Sequence, residues 1–134
     1  MRTIRDVMSK PVVTIEEDKT VVEAAKLMGE KRIGSLIVTR EGEPVGILTE
    51  RDILTKAIAC DLDICKLKVK EIMSSPLIVV KPDITVEDAI KVMAAKGIRR
   101  LPVEEEGEII GIFTAADLVR LVAMAKQKLE EMKG

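Results

Sequence analysis

Two carboxylates in this chain stand three residues after a threonine, Asp52 after Thr49 and Asp117 after Thr114, and each follows a Gly-Ile pair, Gly46-Ile47 and Gly111-Ile112. Thr-x-x-Asp is a helix-start pattern, in which hydroxyl and carboxylate reach backbone N–H groups that the first turn leaves without partners. A cap of this kind can also be shared with, or displaced by, a ligand. Arg99 and Arg100 are adjacent cations just before the apolar run Leu101 to Val103. They suit either bidentate contact to an anion or a solvated strand edge. Histidine is absent, which removes the usual general base, the commonest metal ligand and the usual triad partner. Cys60 and Cys65 are separated by four residues and not by the two of a Cys-x-x-Cys redox pair. In a reducing cytosol they are expected to be free thiols, buried as small hydrophobes. These groups point to binding without covalent catalysis, with no catalytic residue and no metal site.

The elements that position them come in duplicate. A shift of 65 positions, from Gly46 to Gly111, aligns the chain with itself without a gap. Met8, Ser9 and Pro11 fall on Met73, Ser74 and Pro76; Thr20, Val21, Ala24 and Met28 fall on Thr85, Val86, Ala89 and Met93. The match continues through Ile33, Leu36 and Val38 against Ile98, Leu101 and Val103, and through Thr49 and Asp52 against Thr114 and Asp117. A coincidence this long at one register is an internal duplication.

Each copy reads β-α-β-β-α. The runs Val12 to Ile15 and Leu77 to Val80 are short and β-branched enough for strands. Thr20 and Thr85 suit helix N-caps, with Glu23 and Asp88 completing a capping-box pattern. Leu36 to Thr39 and Val45 to Leu48 flank the polar turn Arg40-Glu41-Gly42-Glu43, a hairpin signal repeated around Glu105-Glu106-Gly107-Glu108. The closing helices start after Thr49 and Thr114. The second runs to about Met132, with Leu118, Leu121, Val122, Ala125 and Leu129 on one face and Val119 and Met124 left over for a partner. The expected organisation is a first copy over residues 1–60, a connector over 61–70 and a second copy over 71–134, packed as one pseudo-symmetric α/β (α+β) body.

Composition narrows the function. The 22 basic and 23 acidic residues are spread along the chain, and one Phe is the only aromatic ring, so neither a phosphate-neutralising stripe nor a base-stacking platform is available. Direct nucleic-acid binding is not expected. No run of 18 apolar residues and no signal-peptide core is present, so no membrane association and a cytoplasmic location are expected. The absence of Asn, the single Gln and the abundance of Lys, Glu and Ile resemble heat-adapted proteins.

With the motifs "VMSKP", "IMSSP", "GIRRLPV", "GILTERD" and "GIFTAAD" in matched register, the chain resembles the CBS-domain family from about Thr3 to Leu121. It looks like a stand-alone tandem pair (a Bateman module) from a thermophilic prokaryote. The resemblance implies a regulatory, energy-sensing module and not an enzyme. It takes an adenine nucleotide (AMP, ADP or ATP) or another adenosyl ligand such as S-adenosylmethionine in the clefts between the repeats, with no other cofactor. It also implies a homodimer and an effector protein as the output. On this resemblance Gly46, Ile47, Gly111 and Ile112 let a ligand approach the backbone, because glycine lacks a Cβ. Thr49 and Thr114 present hydroxyls at helix N-termini that favour phosphate, and Asp52 and Asp117 accept hydrogen bonds from vicinal ribose hydroxyls. Val13, Thr14, Ile78 and Val79 would line the adenine pocket, or equally serve core packing. Arg99 and Arg100 would hold phosphate, while Gly34 and Ser35 stand at the matching positions of the first copy. Arg51 is a further phosphate contact or a surface arginine, and Ala116 at its counterpart has no polar side chain. Two unequal sites are expected. The alternative is a scaffolding pair whose clefts stay empty and whose Thr and Asp serve only as caps.

Overall fold

The computed structural model describes residues 2–133, of mixed α and β structure built from two repeats. The chain forms two packed units, Val12–Ile78 and the pair of segments Met1–Pro11 and Val79–Gly134. Packing therefore divides the chain differently from the repeat. The short helix α1 (Ile4–Val7) buries Ile4 completely among Val80, Ala89, Met93, Leu101, Val103 and Phe113 of the second repeat. Backbone bonds fasten it there, from Ile4 N to Ile84 O (3.0 Å) and from Arg5 N to Pro82 O (3.0 Å).

In the unit Val12–Ile78, β1 (Thr14–Glu16) runs parallel to β2 (Ser35–Arg40), and β3 (Glu43–Thr49) closes the sheet antiparallel to β2. The strand expected over Val12 to Ile15 thus lies slightly later. Between β1 and β2, α2 (Val21–Lys31) turns Val21, Ala24 and Met28 onto the sheet. Its start is the complete capping box of Thr20 and Glu23, and its end is Arg32 in the left-handed region. The hairpin turn has Glu41 at φ 51° and Gly42 at φ 83°, the two positive values that a tight two-residue connection with the right strand twist demands. After β3, a single turn, α3 (Glu50–Asp52), passes into a π-helical stretch (Ile53–Ile58). The segment expected as connector is integral here. Helix α4 (Val69–Ile72) buries Val69 and Ile72 in the same core.

In the other unit, α5 (Val86–Lys96) is followed by the hairpin of β4 (Arg100–Glu105) and β5 (Glu108–Thr114), turning at Glu106 (φ 52°) and Gly107 (φ 82°). Only half of the expected cap box forms on α5: Thr85 Oγ1 accepts from Asp88 N (3.1 Å), and the Asp88 carboxylate does not return the bond. The strand expected over Leu77 to Val80 is reduced to one parallel bridge, Val80 to Val103. Two prolines account for this. In the first repeat, Ile37 N donates to Val13 O (3.0 Å) and Glu17 N donates to Thr39 O (2.9 Å), and these bonds hold β1 to β2. The equivalent positions are Pro102 and Pro82, which have no N–H to give.

The last helix, α6 (Ala115–Lys133), begins and ends close to expectation, but only part of its apolar face is covered. Leu118 and Leu121 pack on the core, while Val122 (49%) and Leu129 (57%) stay exposed together with Val119 and Met124. No described helix is long and apolar enough to cross a membrane.

The opening segments carry matched electrostatic ties. Arg5 pairs with Glu105, and Lys70 Nζ lies 2.9 Å from Asp18. The hydrogen bond from Arg5 holds the Glu105 carboxyl below its ordinary range, and that from Lys70 does the same for Asp18. Because the folded values are lowered, both ties are in place at neutral pH and are lost as pH falls through those values.

If α1 is part of the second core, replacing Ile4 by Ala removes a fully buried side chain and lowers unfolding free energy by about 2–5 kcal/mol. Urea denaturation measures this; a loss under about 0.5 kcal/mol, the range of ordinary surface substitutions, would mean α1 is ornamental.

Candidate functional site

In each unit a strand ends in a threonine that caps the next helix, three residues before a buried aspartate. Thr49 N donates to Asp52 Oδ2 (3.0 Å) and Asp52 N to Thr49 Oγ1 (3.1 Å). In the other unit, Thr114 N donates to Asp117 Oδ2 (2.9 Å) and Asp117 N to Thr114 Oγ1 (3.2 Å). The cap function read from the pattern is therefore real in both copies. It does not use up the carboxylates. Asp52 is 7% exposed and Asp117 4%, and a buried carboxylate needs its remaining oxygen sites filled.

Further donors do this, and they were not among the residues picked out from sequence. Ser74 Oγ donates to Asp52, at 3.3 Å from Oδ1 and 3.5 Å from Oδ2, and Lys56 Nζ lies 3.0 Å from Oδ1. In the other unit, Ser9 Oγ donates to Asp117 Oδ1 (2.7 Å), and Arg120 pairs with the same oxygen. Ser9 and Ser74 were visible as matched positions of the repeat. The cations had no such signal, since Lys56 stands four residues after its aspartate and Arg120 three after its own.

The serines are held by the residues expected to meet the ligand. Ser9 exchanges backbone bonds with Ile112 (2.8 and 3.1 Å), and Ser74 does so with Ile47 (2.8 and 3.0 Å). This crossing revises the reason for the glycines. A Cβ on Gly111 would lie 2.8 Å from Met8 Cγ and still closer to its sulfur; one on Gly46 would lie 2.8 Å from the Ser74 carbonyl oxygen. What approaches the glycines so closely is the chain's own Met-Ser segment.

The cationic pair is well placed. Arg100 stands opposite Thr114 across the hairpin, and the Arg99 carbonyl accepts from Ala115 N (2.9 Å), the first residue of α6. Arg99 is exposed, Arg100 half-buried, and neither guanidinium has an ion-pair partner among the described residues. Ser35 stands opposite Thr49 and the Gly34 carbonyl accepts from Glu50 N (3.0 Å), the same backbone arrangement without the charge. Arg51 is exposed in the first turn of α3.

The structure does not bring Val13 and Thr14 to Thr49 and Asp52 within their unit. They belong to the β1 edge and Thr49 to the β3 edge, with β2 between. Val13 packs on the core, and Thr14 opens onto a groove of about 490 Å³ with Lys19, Lys26 and Glu30 of the α2 side. Ile78 is exposed and Val79 half-buried. The cysteines correct an expectation: both are free and exposed, because Cys60 lies in the turn after the π-helical stretch and Cys65 in the turn before α4. Among the described residues no cluster of His, Cys, Asp and Glu could hold a metal ion.

A family profile described as "CBS domain" matches residues 4–58 and again residues 69–124. The chain belongs to the CBS-domain family. Among its relatives is the CBS domain-containing protein YhcV of Bacillus subtilis, 36% identical over 118 residues, with 88% of this chain and 84% of that protein covered. Among solved structures, this CBS pair superposes on the CBS domain pair of protein MJ0100 in complex with 5′-methylthioadenosine and S-adenosyl-L-methionine. The TM-score is 0.83 at 30% identity, covering 92% and 98% of the two chains. It superposes also on the hexameric CBS-CP12 protein from bloom-forming cyanobacteria (TM-score 0.83, 38% identity, 89% and 70% covered). CBS pairs are regulatory modules, and the repeat found in the sequence is the pair of CBS domains.

The two glycines respond differently to an added methyl. Gly111→Ala meets only a flexible side chain, so the overpacking cost of about 1–3 kcal/mol is largely relieved by Met8→Ala in the same protein. Gly46→Ala meets a backbone carbonyl, and Met73→Ala leaves most of its cost standing. Thermal unfolding of the four variants checks this; equal rescue at both sites would contradict the assigned contacts.

Proposed function

We propose that this CBS pair is a regulatory sensor, not an enzyme, that binds an adenosyl ligand at its strand-to-helix turns and responds to adenine nucleotides. Asp52 and Asp117 take the ribose hydroxyls. Phosphate goes to the second turn, where Arg99 and Arg100 flank Thr114. The observation that carries this reading is that charge difference: two cations with no ion-pair partner among the described residues stand beside the head of the 19-residue α6. At the matching place of the other unit are Gly34, Ser35 and a single α-turn. The adenosyl ligands of the MJ0100 domain pair support the ligand class. AMP, ADP and ATP are preferred to S-adenosylmethionine because a phosphate uses both arginines.

The competing reading is a scaffold whose aspartates are caps alone. It is favoured by the internal donors that both carboxylates already have. Thermal-shift measurements with AMP, ADP, ATP, S-adenosylmethionine and NAD separate the two. A true ligand at about a hundred times its dissociation constant raises stability by roughly 2.7 kcal/mol. Asp117→Ala abolishes that response, at a stability cost of about 1–3 kcal/mol for the donors it leaves without a partner. No shift with any of the five favours the scaffold.

For its output, the module pairs with a second copy and passes ligand occupancy to an effector protein. The exposed apolar residues Val122, Leu129 and Met132 of α6 supply the contact, and the hexameric CBS-CP12 relative shows that kin of this chain assemble. Light scattering should give a dimer mass, reduced to that of the monomer in Val122→Glu/Leu129→Glu. A monomeric parent protein would refute the pairing.

A further inference from the structure

The carboxylate of Asp117 has no acceptor site to spare. A carboxylate offers about four lone-pair positions. Thr114 N and Thr114 Oγ1 take Oδ2, and Ser9 Oγ and Arg120 take Oδ1. A ribose that donates two hydrogen bonds must therefore displace two donors already in place. Thr114 N is fixed by the helix start and cannot leave. Ser9 Oγ turns away by one torsion, and the Arg120 side chain, 67% exposed, has solvent to move into.

We infer that Ser9 and Arg120 are built-in competitors for the Asp117 carboxylate, which set the affinity of that turn by occupying the oxygen a ribose needs. The inference rests on the ligand reading above. The arrangement occurs twice. Asp52 is held by Ser74, from the matched Met-Ser segment, and by Lys56. The cation differs in type and in spacing between the copies, yet both place a charge on the oxygen that the serine also reaches. The grip is unequal: Ser9 lies 2.7 Å from its carboxylate oxygen and Ser74 no nearer than 3.3 Å. Asp117 thus combines the arginines that attract phosphate with the tighter internal lock. Binding there is an exchange in which the chain's own donors give way to those of the ligand.

The test is the dissociation constant for AMP, measured by calorimetry on the full chain and on Ser9→Ala and Arg120→Gln, with the unfolding temperature of each recorded. Hydrogen bonds to a charged group are strong enough that removing one competitor should tighten binding by about tenfold. Ser9→Ala is the deciding arm, since it changes no charge near the phosphate. Binding seen only in the variants supports the inference as well. A lower unfolding temperature with the same or weaker affinity shows the two residues to be structural neutralisers and overturns it. Absence of AMP binding in all three proteins instead removes the ligand reading, and the inference with it.

Discussion

A carboxylate buried at the first turn of a helix is the constraint on which the rest of each unit depends. At 4% exposure, Asp117 is stable as an anion only if every oxygen site is met by a donor. The threonine three residues earlier supplies part of the set, and this fixes where β5 ends and α6 starts. The serine must come from elsewhere in the chain, and it arrives from residue 9, on a segment that has to lie directly against β5. Only glycine at position 111 leaves room for the Met8 side chain that comes with it. The same chain of requirements runs from Asp52 through Ser74 to Gly46. The Gly-Ile-x-Thr-x-x-Asp motif and the Met-Ser opening are thus two halves of one arrangement.

That dependence explains why the packed units do not follow the repeats. Each opening segment is needed by the aspartate of the other copy, so the first eleven residues count with the second core and the second opening with the first. Ile4 and Val69, equivalent in the repeat, are both fully buried in cores belonging mainly to the opposite copy. Around this shared frame the two turns diverge. One has a long helix and two adjacent arginines; the other has a single α-turn running into π winding. A duplicated scaffold can carry unequal sites because the residues that hold the carboxylate are not those that would recognise phosphate.

Much of this was legible in the sequence wherever the signal is local. Thr20 with Glu23, the Glu-Gly turns and the Thr-x-x-Asp caps depend on neighbours within four residues, and each formed where expected apart from the return bond of Asp88. The family itself was legible, because the Met-Ser-x-Pro opening and the Gly-Ile-x-Thr-x-x-Asp run each recur at one register. Contacts between distant residues were not. Nothing in the spacing of Ser9 and Asp117, 108 residues apart, marks them as partners. The lost strand before Val80 has a signal in the sequence, since Pro82 and Pro102 stand where the first repeat has the donors Glu17 N and Ile37 N, but an apolar pattern carries no information about donors. The cysteines went wrong for a related reason: residue type favours burial, while the turns that hold them face solvent. The far half of α6 has the pattern of a buried face, yet the core of its own unit reaches along the helix only as far as Leu121.

The central claim is that ligand recognition is concentrated at the second turn. Its most direct test is an NMR titration with AMP that follows the backbone amides of Thr49 and Thr114, each of which donates to its aspartate. The account predicts that the Thr114 amide shifts and saturates at lower AMP than that of Thr49. A Thr114 amide that stays unmoved in the folded protein, or one that saturates only after Thr49, would contradict it.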